Sequence, residues 1–189
     1  MKLLRKMMLP FLLTMIALTI FSEETEAAID NKPGDIIITN STASSGITGH
    51  TGIYIDATHI LHTSGRKSEP YPIVFTEKEW HGRYAKSKVI RPKSSSLGKD
   101  AAKNAIKYFK DKKIPYSLKD AVSKGNKNIT NIYCSELVYY SYHKAGLNLK
   151  VKSNYSPIWG EIQGLVEPYM YINSEIVEKN KYKFIDNKW

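Results

Sequence analysis

The stretch Asn131-Ile-Tyr-Cys-Ser-Glu-Leu-Val-Tyr-Tyr-Ser-Tyr-His-Lys-Ala-Gly146 carries the only cysteine of the 189-residue chain. Asn131 is a candidate N-cap, and Lys144 and Gly146 suit the last turn of a helix and the residue that follows it. Small and apolar residues repeat between them with the 3.6-residue period of a helix that buries one face, at Cys134, Leu137, Val138, Ser141 and Ala145. The pattern predicts a helix that begins near Cys134 and ends before Gly146.

Cys134 is predicted to lie in the first turn of this helix. Unpaired backbone N–H groups and the positive end of the helix dipole favour a thiolate over a thiol there. A first-turn cysteine is therefore a candidate nucleophile. The alternative is structural, because a lone cysteine on the inward face of a helix often serves as a small buried hydrophobic residue.

Residues 1–27 are predicted to be a secretory signal peptide. Three basic residues precede an apolar run from Met7 to Phe21, and small residues at Thr25 and Ala27 suit a signal peptidase that cleaves after Ala27. An uncleaved N-terminal membrane anchor is the alternative. We expect residues 28–189 to form a single domain that is secreted or associated with the cell surface or cell wall.

The composition indicates a basic protein with a packed core. Hydrophobic residues make up 42% of the chain, and the formal net charge is +10. This charge suits an anionic cell-surface polymer or a membrane surface, whereas the lysines are scattered without a motif for nucleic acid. A single cysteine forms no disulfide within the chain, and an exported free thiol is exposed to oxidation, which favours a functional reason for keeping it. We expect a monomer without a cofactor.

Two β-rich runs, His50–Ile55 and His59–Thr63, are predicted to form a hairpin. A three-residue turn between them places His50 and His62 on the same face of the sheet. A two-residue turn shifts the register by one residue and places the two histidines on opposite faces. Further strands are predicted at Ile36–Thr39, Ile73–Phe75, Lys88–Ile90, Met170–Ile172 and Tyr182–Ile185, and an amphipathic helix is predicted at Leu97–Lys112.

A cysteine nucleophile needs a base that takes its proton and a partner that fixes the base. His50 and His62 suit these two roles because only they share a predicted face of one hairpin. The other histidines, His59, His81 and His143, fit exposed positions or the end of the cysteine helix. The chain lacks the short Cys and His spacings of metal sites and the Gly-x-Ser-x-Gly pattern of serine hydrolases, so neither kind of site is expected.

Four segments together resemble the NlpC-type papain-like cysteine peptidase superfamily. They are Gly34-Asp35-Ile-Ile-Ile38, Gly49-His50-Thr-Gly-Ile-Tyr-Ile55, Ile60-Leu-His62 and Tyr133-Cys-Ser-Glu-Leu-Val138. The cysteine helix follows the histidine strand here, whereas it precedes that strand in ordinary members. This order is similar to that of the circularly permuted branch, which includes YiiX/YebB-like and LRAT-like proteins. The resemblance implies an α+β, circularly permuted papain-like fold, with an antiparallel sheet or barrel packed against the cysteine-bearing helix.

The same resemblance implies a catalytic site. Cys134 takes the position of the nucleophile, His50 that of the base, and His62 that of the orienting residue. The residues Tyr116, Tyr133, Glu136 and Trp159 are candidates for substrate binding, with structural roles as the alternative.

These features predict an exported cysteine peptidase or amidase that cleaves amide bonds, with cell-wall peptides as the expected substrate, through an acyl-enzyme intermediate. One alternative is an LRAT-like hydrolase or acyltransferase that acts on acyl lipids or lipid amides. A second is a non-catalytic module that binds the cell wall. The sequence leaves open whether water or an amine accepts the acyl group.

Overall fold

Six antiparallel strands form one open sheet. The computed structural model describes residues 29–43, 48–118, 129–147, 149 and 166–189. The strands follow one another across the sheet in the order β4-β3-β2-β1-β5-β6. Their bounds are β1 Ile36–Thr39, β2 His50–Tyr54, β3 His59–His62, β4 Ile73–Thr76, β5 Ser87–Pro92 and β6 Tyr182–Lys188.

The middle strand β1 is buried on both faces of the sheet. Ile36 and Ile38 belong to one hydrophobic cluster, and Ile37 belongs to a second cluster on the opposite face. All three side chains are fully buried. Because successive side chains of a strand point to opposite faces, an uninterrupted run of isoleucines marks a strand that is covered on both sides.

Helices cover both faces of the sheet. Leu137 and Val138 of the cysteine helix pack in the first cluster, beside Ala101 and Ala105 of the helix before it. Trp80, in the helix that follows β4, fills the second cluster and is fully buried. The helices are α1 Glu77–Arg83, α2 Ser95–Phe109, α3 Cys134–Lys144 and α4 Ser174–Lys179, and a 3₁₀ helix spans Pro168–Ile172.

A glycine turn before β1 brings α2 and α3 onto the sheet. Gly34 has a φ of +94°, and a Cβ at this position would lie 2.3 Å from backbone atoms of Gly98 in α2. The Tyr142 hydroxyl, near the end of α3, donates a hydrogen bond to the carbonyl oxygen of Gly34. Only glycine combines this backbone conformation with so close an approach of two backbones.

The structure confirms most of the predicted elements and corrects three predictions, on a helix cap, a strand and the closure of the sheet. Tyr133 is the N-cap of α3, without a side-chain hydrogen bond, so the prediction of Asn131 as the cap was wrong. Residues 170–172 lie in the 3₁₀ helix, where Pro168 starts the turn, and do not form a strand. The sheet stays open at β4 and β6, so the barrel alternative does not hold for the described residues.

The predicted signal peptide, residues 1–27, lies outside the described residues and stays a prediction. Among the helices of the described ranges, none combines the length and the hydrophobicity that crossing a membrane requires.

Candidate active site

The β2–β3 hairpin brings the two candidate histidines together. Gly52 pairs with His62 and Tyr54 pairs with Ile60, which is the register predicted for a three-residue turn. His50 and His62 therefore share one face of the sheet, and the alternative register is wrong. A Cβ on Gly52 would lie 2.6 Å from Ile60 and 3.1 Å from Trp80, so this glycine leaves the room that the neighbouring side chains occupy.

The two imidazole rings contact each other directly. Nε2 of His50 lies 3.0 Å from Nδ1 of His62, a hydrogen-bond distance. Nε2 of His62 is buried and has no hydrogen-bond partner among the described residues. His62 packs at a steep angle against Phe75 and Trp80, with ring centroids 4.4 and 5.3 Å away. Aromatic faces attract an N–H group and disfavour a lone pair, so we assign the proton of His62 to Nε2.

This tautomer of His62 determines the proton on His50. Nδ1 of His62 then accepts the hydrogen bond, and Nε2 of His50 donates it. The remaining nitrogen of His50, Nδ1, keeps its lone pair. This tautomer therefore leaves His50 an acceptor nitrogen, which a general base requires.

An aromatic wall fixes His50. The indole ring of Trp80 stacks on the imidazole at 5.4 Å with an interplanar angle of 19°. Trp80 is itself held by a 3.0 Å hydrogen bond from its indole N–H to the hydroxyl of Ser87. The ring of Tyr84 lies 5.1 Å from His50 on a tilted plane. These contacts leave the imidazole little rotational freedom.

Cys134 lies at the start of α3, next to the histidine strand. The backbone N–H of Thr51, the residue after His50, lies near the Cys134 sulfur and acts to lower its pKa. The first turn of the helix is fixed on its other side: the hydroxyl of Ser135 donates to Val166 O, and the hydroxyl of Tyr171 donates to Ser135 O at 3.0 Å. The thiol thus lies against β2 at the residue that follows His50, whereas the His50 imidazole packs on the face of the sheet that Trp80 covers.

Burial decides the charge of both reacting groups. Desolvation raises the pKa of the Cys134 thiol to about 11, although N–H groups of Thr51, Ser135 and Cys134 itself act in the opposite direction. Burial likewise lowers the pKa of His50 to about 3, and the positive charges of Arg83 and Arg66 contribute in the same direction. Both shifts favour a neutral thiol and a neutral imidazole at rest. Desolvation thus acts against the thiolate that the first-turn position favours, and it outweighs the helix terminus.

A charged network borders the histidine side of the site. Arg83 donates two hydrogen bonds to Glu69, at 2.7 and 2.8 Å, and the Ser64 hydroxyl donates to the same carboxylate at 2.7 Å. The guanidinium lies 4.4 Å from the centre of the Phe75 ring. This network connects the loop after β3 to the end of α1, beside Tyr84.

The predicted substrate-binding residues fall in different environments. Tyr116 is half-buried, and its pKa is raised by burial and by its proximity to Cys134 and then Tyr84. Tyr133 and Glu136 are 2% and 1% exposed. The hydroxyl of Tyr133 accepts a hydrogen bond from Val166 N. Tyr116 therefore stays a candidate for the cleft, whereas burial favours structural roles for the other two, and Trp159 lies outside the described residues.

Sequence reasoning missed the contribution of α1, which supplies Trp80 and Arg83 and has Tyr84 as its C-cap. A signal for this helix is present in the chain. Thr76 and Glu79 form a capping box, in which each side chain accepts a hydrogen bond from the backbone N–H of the other. Ser or Thr followed three residues later by Glu is a sequence signature of a helix start. No comparable pattern marks Trp80 as the partner of a histidine.

The fold and site define a class: an α+β protein with a buried cysteine at a helix start and a hydrogen-bonded histidine pair on the antiparallel sheet that this helix packs against. Comparison with known families gives a more specific assignment. The chain belongs to the lipoprotein N-acylation protein LnsA-like family, whose model matches residues 3–187.

A relative is known from Bacillus thuringiensis. It is described as an uncharacterized 30.3 kDa protein and is 30% identical over 159 residues, which cover 76% of this chain and 53% of the relative. The chain thus spans about half the length of the curated relative that it matches. No solved structure matches the chain.

Proposed function

We propose that this protein N-acylates lipoproteins through an acyl-cysteine intermediate. The observation that carries the proposal is the buried Cys134 at the start of α3, against Thr51 of the strand that holds His50, in a member of a lipoprotein N-acylation family. The family supports the acyl-transfer alternative of the sequence analysis over the cleavage of cell-wall peptides. It also supports a location in the cell envelope, where lipoproteins reside.

The first half-reaction loads the acyl group onto Cys134. As the sulfur attacks the carbonyl carbon of an ester, the thiol proton moves to Nδ1 of His50. The S–C bond forms, the ester C–O bond breaks, and the leaving alkoxide takes the proton back from His50. The products are a thioester on Cys134 and an alcohol. His62 keeps His50 in the tautomer that this transfer needs.

The second half-reaction delivers the acyl group to a lipoprotein amine. The nitrogen attacks the thioester, His50 removes a proton from the nitrogen, and the departing sulfur receives that proton. An α-amino group suits this step better than a lysine, because its ordinary pKa of about 8 leaves a useful neutral fraction near pH 7.5, whereas a lysine with a pKa near 10.4 stays charged. We therefore propose the N-terminal amine as the acceptor.

The dry site favours an amine over water as the acceptor. Cys134 and His50 are each only 6% exposed, so a thioester formed there is shielded from solvent. Exclusion of water suppresses hydrolysis of a reactive intermediate until the correct acceptor binds. The backbone N–H of Cys134, in the first helical turn, is the group proposed to stabilise the oxyanion of both tetrahedral intermediates.

The proposal includes the permuted papain-like fold. Its support is the chain order, in which the histidine strand β2 precedes the cysteine helix α3, together with the antiparallel sheet. The formal charge of +10 supports contact with an anionic membrane surface, where a lipid donor and a lipoprotein are both present.

The test uses the full chain, a phospholipid with labelled acyl chains and a synthetic lipopeptide that has a free N-terminal amine. We expect the wild type to produce the N-acylated lipopeptide, detected by mass spectrometry, and Cys134→Ala to produce none. His50→Gln should lower the rate by about 100-fold or more, the typical contribution of a general base. His59→Gln is the matched control, because His59 lies outside the site and should behave as wild type.

Three results would reject the transfer proposal. One is equal product from wild type and Cys134→Ala. The second is a Cys134-dependent release of free fatty acid without N-acyl product, which identifies a lipid hydrolase. The third is a Cys134-dependent release of cell-wall peptides without acyl transfer, which restores the peptidase interpretation.

A further inference from the structure

The loop between β3 and β4, residues 63–72, lies against both halves of the candidate site. On the cysteine side, Tyr116 forms a bridge with Ile132, two residues before Cys134, and donates its backbone N–H to Pro70 O at 3.3 Å. A Cβ on Gly65 would lie 2.7 Å from the Tyr116 ring, so the loop packs directly on this tyrosine.

On the histidine side, the same loop is fixed through Glu69. Its carboxylate binds Arg83 in a bidentate pair, and the Arg83 guanidinium lies 6.0 Å from the centre of the Tyr84 ring, which contacts His50. The carboxylate is 12% exposed at the side chain, and its oxygens are already occupied by Arg83 and Ser64. Glu69 therefore holds the loop through Arg83 and Ser64, and its negative charge does not fully neutralise a second nearby arginine.

Arg66 is the cation at the tip of this loop. Two backbone contacts fix its position: its N–H donates to the Ser64 hydroxyl at 3.2 Å, and its carbonyl oxygen accepts from Glu69 N at 2.9 Å. The residue is exposed, and its guanidinium has no ion pair among the described residues. The loop places Arg66 between the two halves of the site, because Gly65 before it packs on Tyr116 and Glu69 after it pairs with Arg83. Its positive charge acts on His50, Tyr84 and Glu69, in agreement with this position.

We propose that Arg66 binds the phosphate of the acyl donor at the mouth of the site. This inference rests on the proposed acyl transfer and adds the residue that selects the donor. A guanidinium presents several N–H groups in one plane and binds phosphate oxygens in a bidentate manner, which suits a phosphodiester near an ester bond. Tyr71, on the same loop and 39% exposed, supplies an aromatic ring of the kind found at lipid interfaces.

The position of the network explains why Arg66 is suited to this role and Arg83 is not. Arg83 is satisfied by Glu69, so recruiting it to a ligand would break two charged hydrogen bonds. Arg66 binds a phosphate without losing any ion pair in the described residues. In this proposal Arg66 binds the donor, while Arg83 holds the loop through Glu69.

The experiment compares two donors with identical acyl chains in the same uncharged detergent micelles: phosphatidylglycerol and diacylglycerol. The quantity measured is the ratio of kcat/KM for the two donors, with N-acyl lipopeptide as the product. Arg66→Gln should lower this ratio about tenfold relative to the wild type, the loss of one charge-assisted contact of about 1.4 kcal/mol. Arg66→Lys should retain part of the preference, because the charge remains without the planar fork.

Lys67→Gln is the matched control, since it removes the same charge from the neighbouring exposed position of the loop. It should leave the donor ratio within about twofold of wild type, a weak screened effect. An unchanged ratio in Arg66→Gln, or an equal drop in Lys67→Gln, would overturn the proposal. A different outcome is that millimolar inorganic phosphate inhibits acyl transfer from diacylglycerol in the wild type and not in Arg66→Gln. That result would identify a free-phosphate site and overturn the headgroup assignment.

The Cys134→Ala variant distinguishes a failure of the proposed acyl transfer from a failure of the headgroup assignment. If wild type and Cys134→Ala give equal signals with both donors, the proposed function itself fails. If the activity depends on Cys134 but the donor ratio does not depend on Arg66, only the headgroup assignment fails. Thermal unfolding of each variant checks that the exposed substitutions leave the fold intact.

Discussion

The charge state of Cys134 gives a direct test of the site. Burial raises the pKa of the thiol from an ordinary 9.0 to about 11. At pH 7.5 the thiolate fraction is then about a hundredfold lower than that of an ordinary cysteine. A more basic thiolate is more nucleophilic, by about six- to tenfold for this difference in pKa. The net expectation is alkylation by iodoacetamide that is about tenfold slower than for the same cysteine in unfolded protein.

The assay follows carbamidomethylation by intact mass between pH 6 and pH 10, for the folded protein and for the protein in urea. We expect the rate in the folded protein to rise about tenfold per pH unit across this range, without a plateau. His50→Gln should change it little, since a neutral His50 does not stabilise a resting thiolate. A plateau below pH 8, with a rate above that of the unfolded chain and abolished in His50→Gln, would reveal a thiolate–imidazolium pair. That result would refute the neutral site.

Three further substitutions follow from the packing. The folded-state pKa of His50, about 3, lies below its ordinary 6.5, so its contribution to stability is full above pH 6.5 and is lost as the pH falls toward 3. His50→Gln should therefore make the unfolding free energy less dependent on pH between pH 6 and pH 4. The slope, measured by urea unfolding, should fall by up to about 1.4 kcal/mol per pH unit. Gly34→Ala should destabilise the protein by about 2 to 4 kcal/mol through strain and overlap, whereas Gly82→Ala, with open space around its Cβ, should stabilise α1 by up to about 1 kcal/mol in the same thermal assay. Trp80→Phe should slow acyl transfer more than Ser87→Ala, because both remove the indole hydrogen bond but only the first alters the ring stacked on His50; equal rates would show that the stacking has no role.

Local patterns predicted the sheet and the cysteine helix because each is encoded over a few residues. The isoleucines of β1 and the hairpin of β2 and β3 depend on neighbouring residues and on one turn length. The pairing of His50 with His62 follows from that register alone. For α3, Gly146 lies after the last turn with a φ of +90°, as its position in the sequence predicted.

Tertiary packing determined what the sequence did not predict. The resting charge of Cys134 depends on how completely Thr51 and the helix start exclude water, and no spacing in the sequence encodes that exclusion. The stacking of Trp80 on His50 joins residues thirty positions apart on different elements. The buried state of Glu136 likewise comes from the segments packed around α3, since its first-turn position alone suits an exposed dipole partner.

A neutral Cys134 also fits the location in the cell envelope that is proposed for this protein. A free thiol outside the cytosol is oxidised in proportion to its thiolate character and its exposure. Cys134 has little of either at rest, being 6% exposed with its pKa raised. The proton must then leave during the attack itself, which requires an ester carbonyl next to the sulfur and the free Nδ1 of His50 at the same time. In the proposed reaction, activation therefore depends on a bound donor, and the burial that weakens the resting thiol also limits its chemistry to acyl groups held in the site.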